Sequence, residues 1–135
     1  MNALIRELKN EHKAILDVLE QVRELGISSP AGREKLLAAR DLLMVHMRKE
    51  DEQYYPALRT AAAGRNELRV MMDYFLADME AVSRKAMQVF DKYAQGGDDG
   101  QFAGEIKLLY MLLRDRVRTE EQTLFEKFPG KGRRL

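Results

Sequence analysis

The sequence predicts an all-α protein, an up-down-up-down antiparallel four-helix bundle, on three observations. Glycine and proline are clustered: Gly26, Ser28, Ser29, Pro30 and Gly32 form one group and Gly64 stands alone. Gly96, Gly97, Asp98, Asp99 and Gly100 form another group, and Pro129, Gly130 and Gly132 the last. Glycine stops a helix and proline opens one, so these are breakers. Between them lie four long segments of helix-forming composition, and none alternates β-branched residues at period two as a strand would. Short connections between long helices favour antiparallel neighbours.

Each helix carries a stripe of apolar residues spaced by three and four, the pattern of one buried face. The first, about 2–25, reads Leu4, Leu8, His12, Ile15, Leu19, Val22. The second, about 30–62, reads Leu36, Ala39, Leu43, His46, Glu50, Gln53, Ala57. The third, about 65–95, reads Leu68, Met72, Phe75, Met79, Val82, Ala86, Val89, Tyr93, with no ligand-type residue. The fourth, about 101–128, reads Ile106, Leu109, Leu113, Val117, Glu120, Leu124, Phe128. The bundle is expected over residues 1–129, followed by a flexible basic tail, 130–135.

At 135 residues the chain is one domain, long enough for a real core. It has no cysteine, which excludes disulfides, thiol nucleophiles, zinc fingers and thiolate-bound clusters. Lys and Arg number 23 and Asp and Glu 22, a net charge of +1, so no large field draws nucleic acid or an anionic membrane. No apolar run approaches the ~20 residues of a membrane span. The start carries Arg6, Glu7 and Lys9 and lacks a signal peptide's apolar stretch. The expectation is a soluble cytoplasmic monomer or homodimer. The methionines at helical spacing read as gap-filling core.

The only two histidines, His12 and His46, both fall on buried stripes, and so do Glu50 and Glu120. Burying unpaired carboxylates costs several kcal/mol or forces them neutral. Something positive belongs among them: a metal ion, or Arg116. His46 and Glu50 are four apart, one above the other on a helix face, as helical bundles present a histidine and a carboxylate to an internal metal.

The run His46-Met-Arg-Lys-Glu50-Asp-Glu-Gln-Tyr54-Tyr55-Pro56 resembles the hemerythrin family, the HHE cation-binding domain. Leu8-Lys-Asn-Glu11-His12-Lys-Ala-Ile15 is similar to the family's Glu-His motif in the first helix. Arg116-Val-Arg-Thr-Glu120-Glu121-Gln-Thr-Leu124-Phe125 resembles its His-x-x-x-Glu-Glu-x-x-Leu-Phe in the fourth. The resemblance implies a four-helix bundle that holds two non-haem irons among histidines, with two bridging carboxylates. Family members bind oxygen or other small oxidants, store or sense iron, or repair iron centres.

The departures concentrate in one half of that site. Arg116 stands where the fourth-helix histidine belongs, and Met72-Asp73-Tyr74-Phe75 where the third helix would bring its Glu-His pair. Carried over residue by residue, His12 and His46 match one set of histidines, and Glu50 with Glu120 or Glu121 the bridges. The other set is missing. The expected metal residues are therefore His12, His46, Glu50, Glu120 and Glu121. A phenol of Tyr74, Tyr54 or Tyr55 could supply a further donor, Tyr74 being the replacement by alignment and Met72 the one by stripe; the other reading of these tyrosines is core packing. Arg116 is expected to put its charge where the second ion was, paired to Glu50 or Glu120.

Two imidazoles and one or two carboxylates suit Fe(II), Mn(II) or Zn(II). The resemblance makes iron the first candidate, at a partial, mononuclear site, in iron handling or in binding or sensing oxygen, peroxide or nitric oxide. Two further readings stand beside it. An enzyme could activate oxygen or peroxide, although nothing identifies an organic substrate. Alternatively the site is degenerate and metal-free, and the bundle is a protein-interaction module.

Overall fold

The computed structural model describes residues 2–128, and the basic tail expected at 130–135 lies outside them. Every element among the described residues is helical. Helix α1 spans Ala3–Leu25 and α2 Pro30–Lys49. A π-helical turn, Glu50–Tyr54, carries α2 on into α3, Tyr55–Ala62. Helix α4 spans Asn66–Tyr93 and α5 Asp99–Thr119. A second π turn, Glu120–Leu124, leads into the short α6, Phe125–Lys127. The expected second and fourth helices are thus continuous rods, each widened by one π turn. No helix among the described residues is long and apolar enough to cross a membrane.

The helix starts follow from side-chain chemistry. Asn2 caps the Leu4 amide at 2.6 Å, Ser29 caps Gly32 before Pro30 opens α2, and Asp98 caps Gly100. Gly26 ends α1 at φ +73°, a left-handed conformation that glycine adopts without a Cβ penalty. The turn after it is pinned to the start of α5, where Asp99 accepts the amide hydrogens of Ile27 and Ser28 at 2.8 and 3.1 Å.

The π turns correct the expected stripes. Each inserts one residue, so the buried positions slip by one after the glutamate. Gln53 is exposed and Ala57 only half-buried; Tyr54, Tyr55, Leu58 and Ala62 turn inward instead. In the fourth rod Leu124 stays on the stripe, but Phe125 is buried and Phe128 only half-buried. The first π turn suits Pro56, although the second forms without a proline. Proline has no amide hydrogen and its ring clashes with the carbonyl four residues back, a conflict the widened turn relieves.

The core is two apolar clusters with a polar layer between them. One gathers Ile15, Leu19, Leu36, Leu43, Ala86, Phe90, Phe102 and Leu109. The other gathers Ile5, Leu8, Tyr54, Leu58, Met72, Phe75, Leu124 and Phe125. Among the described residues, His12, His46, Glu50 and Glu120 are the buried polar ones and lie along the rods between the two. Burial in both clusters holds the backbone of that layer, at about 25 cal/mol per Å² of apolar surface.

Candidate metal centre

Local helix geometry brings the four polar side chains together. His12 sits between Leu8 and Ile15 on the buried face of α1. His46 and Glu50 stack one turn apart at the end of α2. Glu50 and Glu120 each open a π turn, and their carbonyls accept the amide hydrogens of Tyr55 and Phe125, five residues on. One possible ligand atom from each of the four lies within 4.8 Å of every other, and each residue is at least 96% buried.

Nε2 of His12 is 3.0 Å from Glu120 Oε1, and Nε2 of His46 is 3.4 Å from Glu50 Oε2. The outer nitrogens are held by other carboxylates. His12 Nδ1 is 2.7 Å from Glu121 Oε2, and His46 Nδ1 is 2.7 Å from Glu11 Oε1. Glu11 is clamped in turn by Lys49, which also reaches Glu7 at 3.1 Å. A carboxylate can only accept, so each Nδ1 carries the hydrogen. On neutral His46 that leaves the Nε2 lone pair facing inward, and an outer carboxylate orienting an inner imidazole is the usual support of a metal-binding histidine.

The ionisation of the group follows its geometry. Burial works against charging His12, but hydrogen bonds to Glu120 and Glu121 outweigh it and hold its pKa up at about 9. Burial, and then the charge on His12, push His46 down, so it stays neutral. Burial and the neighbouring Glu120 raise Glu50 well above the carboxylate range. Glu120 is itself opposed by burial, yet His12, Glu50 and Tyr55 keep it ionised. The Tyr55 hydroxyl is 2.6 Å from Glu120 Oε2 and 3.3 Å from Glu50 Oε1. Its one hydrogen goes to the nearer, ionised Glu120. Burial and both carboxylates push its pKa up, which makes it a donor in this network and not a phenolate.

The expected site residues separate into three groups. His12, His46, Glu50 and Glu120 converge. Glu121 stands outside them, on the far side of His12, as its hydrogen-bond partner. Tyr74 and Arg116 do not join. Tyr74 is 73% exposed, one position away from the buried Phe75, so it cannot be the third-helix donor. Arg116 lines the cavity beside the site, but its guanidinium pairs with Asp78 of α4 at 3.1 Å and not with Glu50 or Glu120. Its length and strong hydration carry the charge to the surface while the stem stays on the apolar wall. Helices α4 and α5 fill the other half of the layer with Phe75, Met79, Leu113 and Val117 around a cavity of about 20 Å³. Sequence reasoning gave Glu11 no role, because it lies off the apolar stripe. Tyr55 was one of three open phenols, and only the π turn tells that it faces in.

A small helical bundle with two inward imidazoles and two buried carboxylates defines a metal-binding class of protein. The family model of the hemerythrin HHE cation binding domain matches residues 3–128, and the chain belongs to that family. Comparisons with curated proteins and with solved structures gave no significant match. The residues fit a metal ion on their own chemistry too. Glu50 Oε2 is fully buried without a hydrogen-bond partner, and a buried orphan oxygen of this kind is what a cation would satisfy.

Proposed function

We propose that this protein binds one divalent transition-metal ion through His12, His46, Glu50 and Glu120. Iron is the first candidate and manganese or zinc the next, and the role is the handling of iron or the binding or sensing of a small oxidant in the cytoplasm. The observation that carries the reading is the convergence of four buried donors, one of them an orphan carboxylate oxygen, with both imidazoles oriented from outside. A bound ion with open positions would supply coordination of a small ligand such as oxygen, nitric oxide or peroxide. The chain's own contribution is to orient His12 through Glu121 and His46 through Glu11. It also keeps Tyr55 as a hydrogen-bond donor over the carboxylates and excludes water with two apolar clusters.

The test is elemental analysis of protein made in iron-replete cells, with His46→Ala beside it. The expected result is about one ion per chain, lost in the variant. A second reading, a metal-free interaction module, is favoured by one feature: His12, Glu120, Glu121 and Tyr55 already satisfy one another. Protein that stays metal-free after incubation with each candidate ion would establish that reading instead.

A further inference from the structure

The four donors are buried, so an ion needs a way in. The small cavity beside them and a surface groove of about 420 Å³ between α2–α3 and α4 have three wall residues in common: Met47, Glu50 and Met79. Glu50, whose Oε2 has no hydrogen-bond partner, is therefore at once part of the buried group and part of the groove's floor. Met47 and Met79 are unbranched and only partly buried, and such side chains change rotamer without moving the backbone.

Two other seams of the bundle are less suited to a cation. Between α4 and α5 stands Arg116, always charged and lining the cavity, tied to Asp78 across the seam. Between α1 and α2 stands Lys49, tied to Glu7 and Glu11. The groove instead is lined by Glu50, Asp51 and Glu80 with Arg59, and Glu80 also pairs with the exposed Arg84 at 3.6 Å.

We propose that the groove between α2–α3 and α4 is the route by which a divalent cation reaches and leaves the buried group, with Met47 and Met79 as its movable inner wall. The proposal rests on the metal-binding reading above and adds the path to it. An arriving cation meets Asp51 and Glu80 at the surface and exchanges hydration water for Glu50 at the floor, whose carboxyl gives up its proton to the departing water. It then passes between the two methionines to the imidazoles.

The experiment is stopped-flow loading of metal-free protein with cobalt(II), read by its visible absorption, and its removal by a chelator. Ala77→Trp sets an indole in the groove from an exposed position. Ala103→Trp sets the same group in a surface groove beside Glu20 and Lys107, and is the control. Ala77→Trp is expected to slow both uptake and release about tenfold at unchanged stoichiometry and melting temperature, while Ala103→Trp changes neither. Glu80→Lys is expected to slow uptake several-fold, an effect that shrinks as salt rises. Unchanged rates in Ala77→Trp and Glu80→Lys, or equal slowing in Ala103→Trp, overturn the route while leaving the site. Absence of bound cobalt at equilibrium overturns the metal reading, and the route with it.

Discussion

The second and fourth rods are built alike around the site, and three positions set them apart there. Each has a glutamate at the start of a π turn, Glu50 in one and Glu120 in the other, and both are buried. Four residues earlier stand His46 and Arg116. Four and five residues later stand Tyr54 and Tyr55 in one rod, Leu124 and Phe125 in the other. The backbone plan is shared, so what separates the polar half of the layer from the apolar half is side-chain chemistry. An imidazole is short, can be neutral, and stays 97% buried with Glu11 holding its outer nitrogen. A guanidinium cannot give up its charge, and Arg116 leaves for Asp78 at the surface. Phe125 stacks on His12, with centroids 5.9 Å apart, where Tyr55 in the other rod donates its hydroxyl hydrogen to Glu120, 3.3 Å from Glu50.

The widest gap between the rods is expected at the two glutamates. Glu120→Met strips the His12 imidazolium of an ion partner and Tyr55 of its acceptor, and breaking a buried pair in this way costs ~3–5 kcal/mol. Glu50→Met removes an orphan oxygen and a carboxyl that burial and Glu120 already hold neutral. The metal-free bundle should be as stable as before, or more stable by about 1–2 kcal/mol. Both variants should lose the metal. Urea denaturation of the metal-free proteins checks this; equal destabilisation by the two substitutions would erase the distinction drawn here.

Acid and base should act oppositely on the filled and the metal-free site. His12 is raised from 6.5 to about 9 in the folded protein, so its contribution to stability is present in full below 6.5 and lost as pH rises through about 9. Metal binding must displace that proton, so affinity should climb about tenfold per pH unit up to the same point, more steeply where Glu50 is also protonated. Competition titrations against a chelator, and melting of the metal-free protein, at several pH values between about 6 and 9 give the two slopes. Slopes of the same sign would contradict the assigned ionisation.

Refilling the emptied half is the next, smaller test. Arg116→His sets an imidazole on the cavity wall one turn from Glu120, but Phe75, Met79, Leu113 and Val117 offer it no fellow ligand, so metal content should stay at about one ion. Met79→His lines the cavity itself and should cost ~1–3 kcal/mol without metal, for a buried polar group lacking partners. Added metal should return part of that loss. A second ion taken up by Arg116→His alone would show that the guanidinium, and not the apolar wall, closes the half-site.

The fold was legible in the sequence because breakers and stripes are local signals: the loops between the long helices lie at residues 26–29, at Gly64 and at residues 96–98. His12, His46, Glu50 and Glu120 were legible too, as polar residues at apolar positions. Three things were not. The π turns left no mark on periodicity beyond Pro56, so the stripe slipped at Gln53 and Ala57. Tyr74 aligned with a ligand position, but the helix face decides, and that face belongs to Phe75 and Met79. Arg116 sat beside two carboxylates in sequence, and only the packing of α4 showed Asp78 within its reach.

The smallest effect expected is at Tyr54, the counterpart of Leu124 four residues after the glutamate. Its hydroxyl lies 3.0 Å from the Leu124 carbonyl and 2.7 Å from that of Phe128, so the second rod ties down the end of the fourth where the π turn has loosened it. One hydrogen serves one acceptor fully, and the shorter contact is to Phe128. The Leu124 carbonyl keeps the Phe128 amide at 2.8 Å in any case. Tyr54→Phe should therefore cost about 1 kcal/mol, the net worth of one hydrogen bond, at unchanged ring packing against Phe125. Metal content should not change, because the hydroxyl points to the fourth rod's end and not to the carboxylates. Hydrogen exchange should show the loosening confined to the last turn, at Phe128 and its neighbours. Loss of metal in Tyr54→Phe would mean that the π turns, and not the side chains alone, set the position of Glu120.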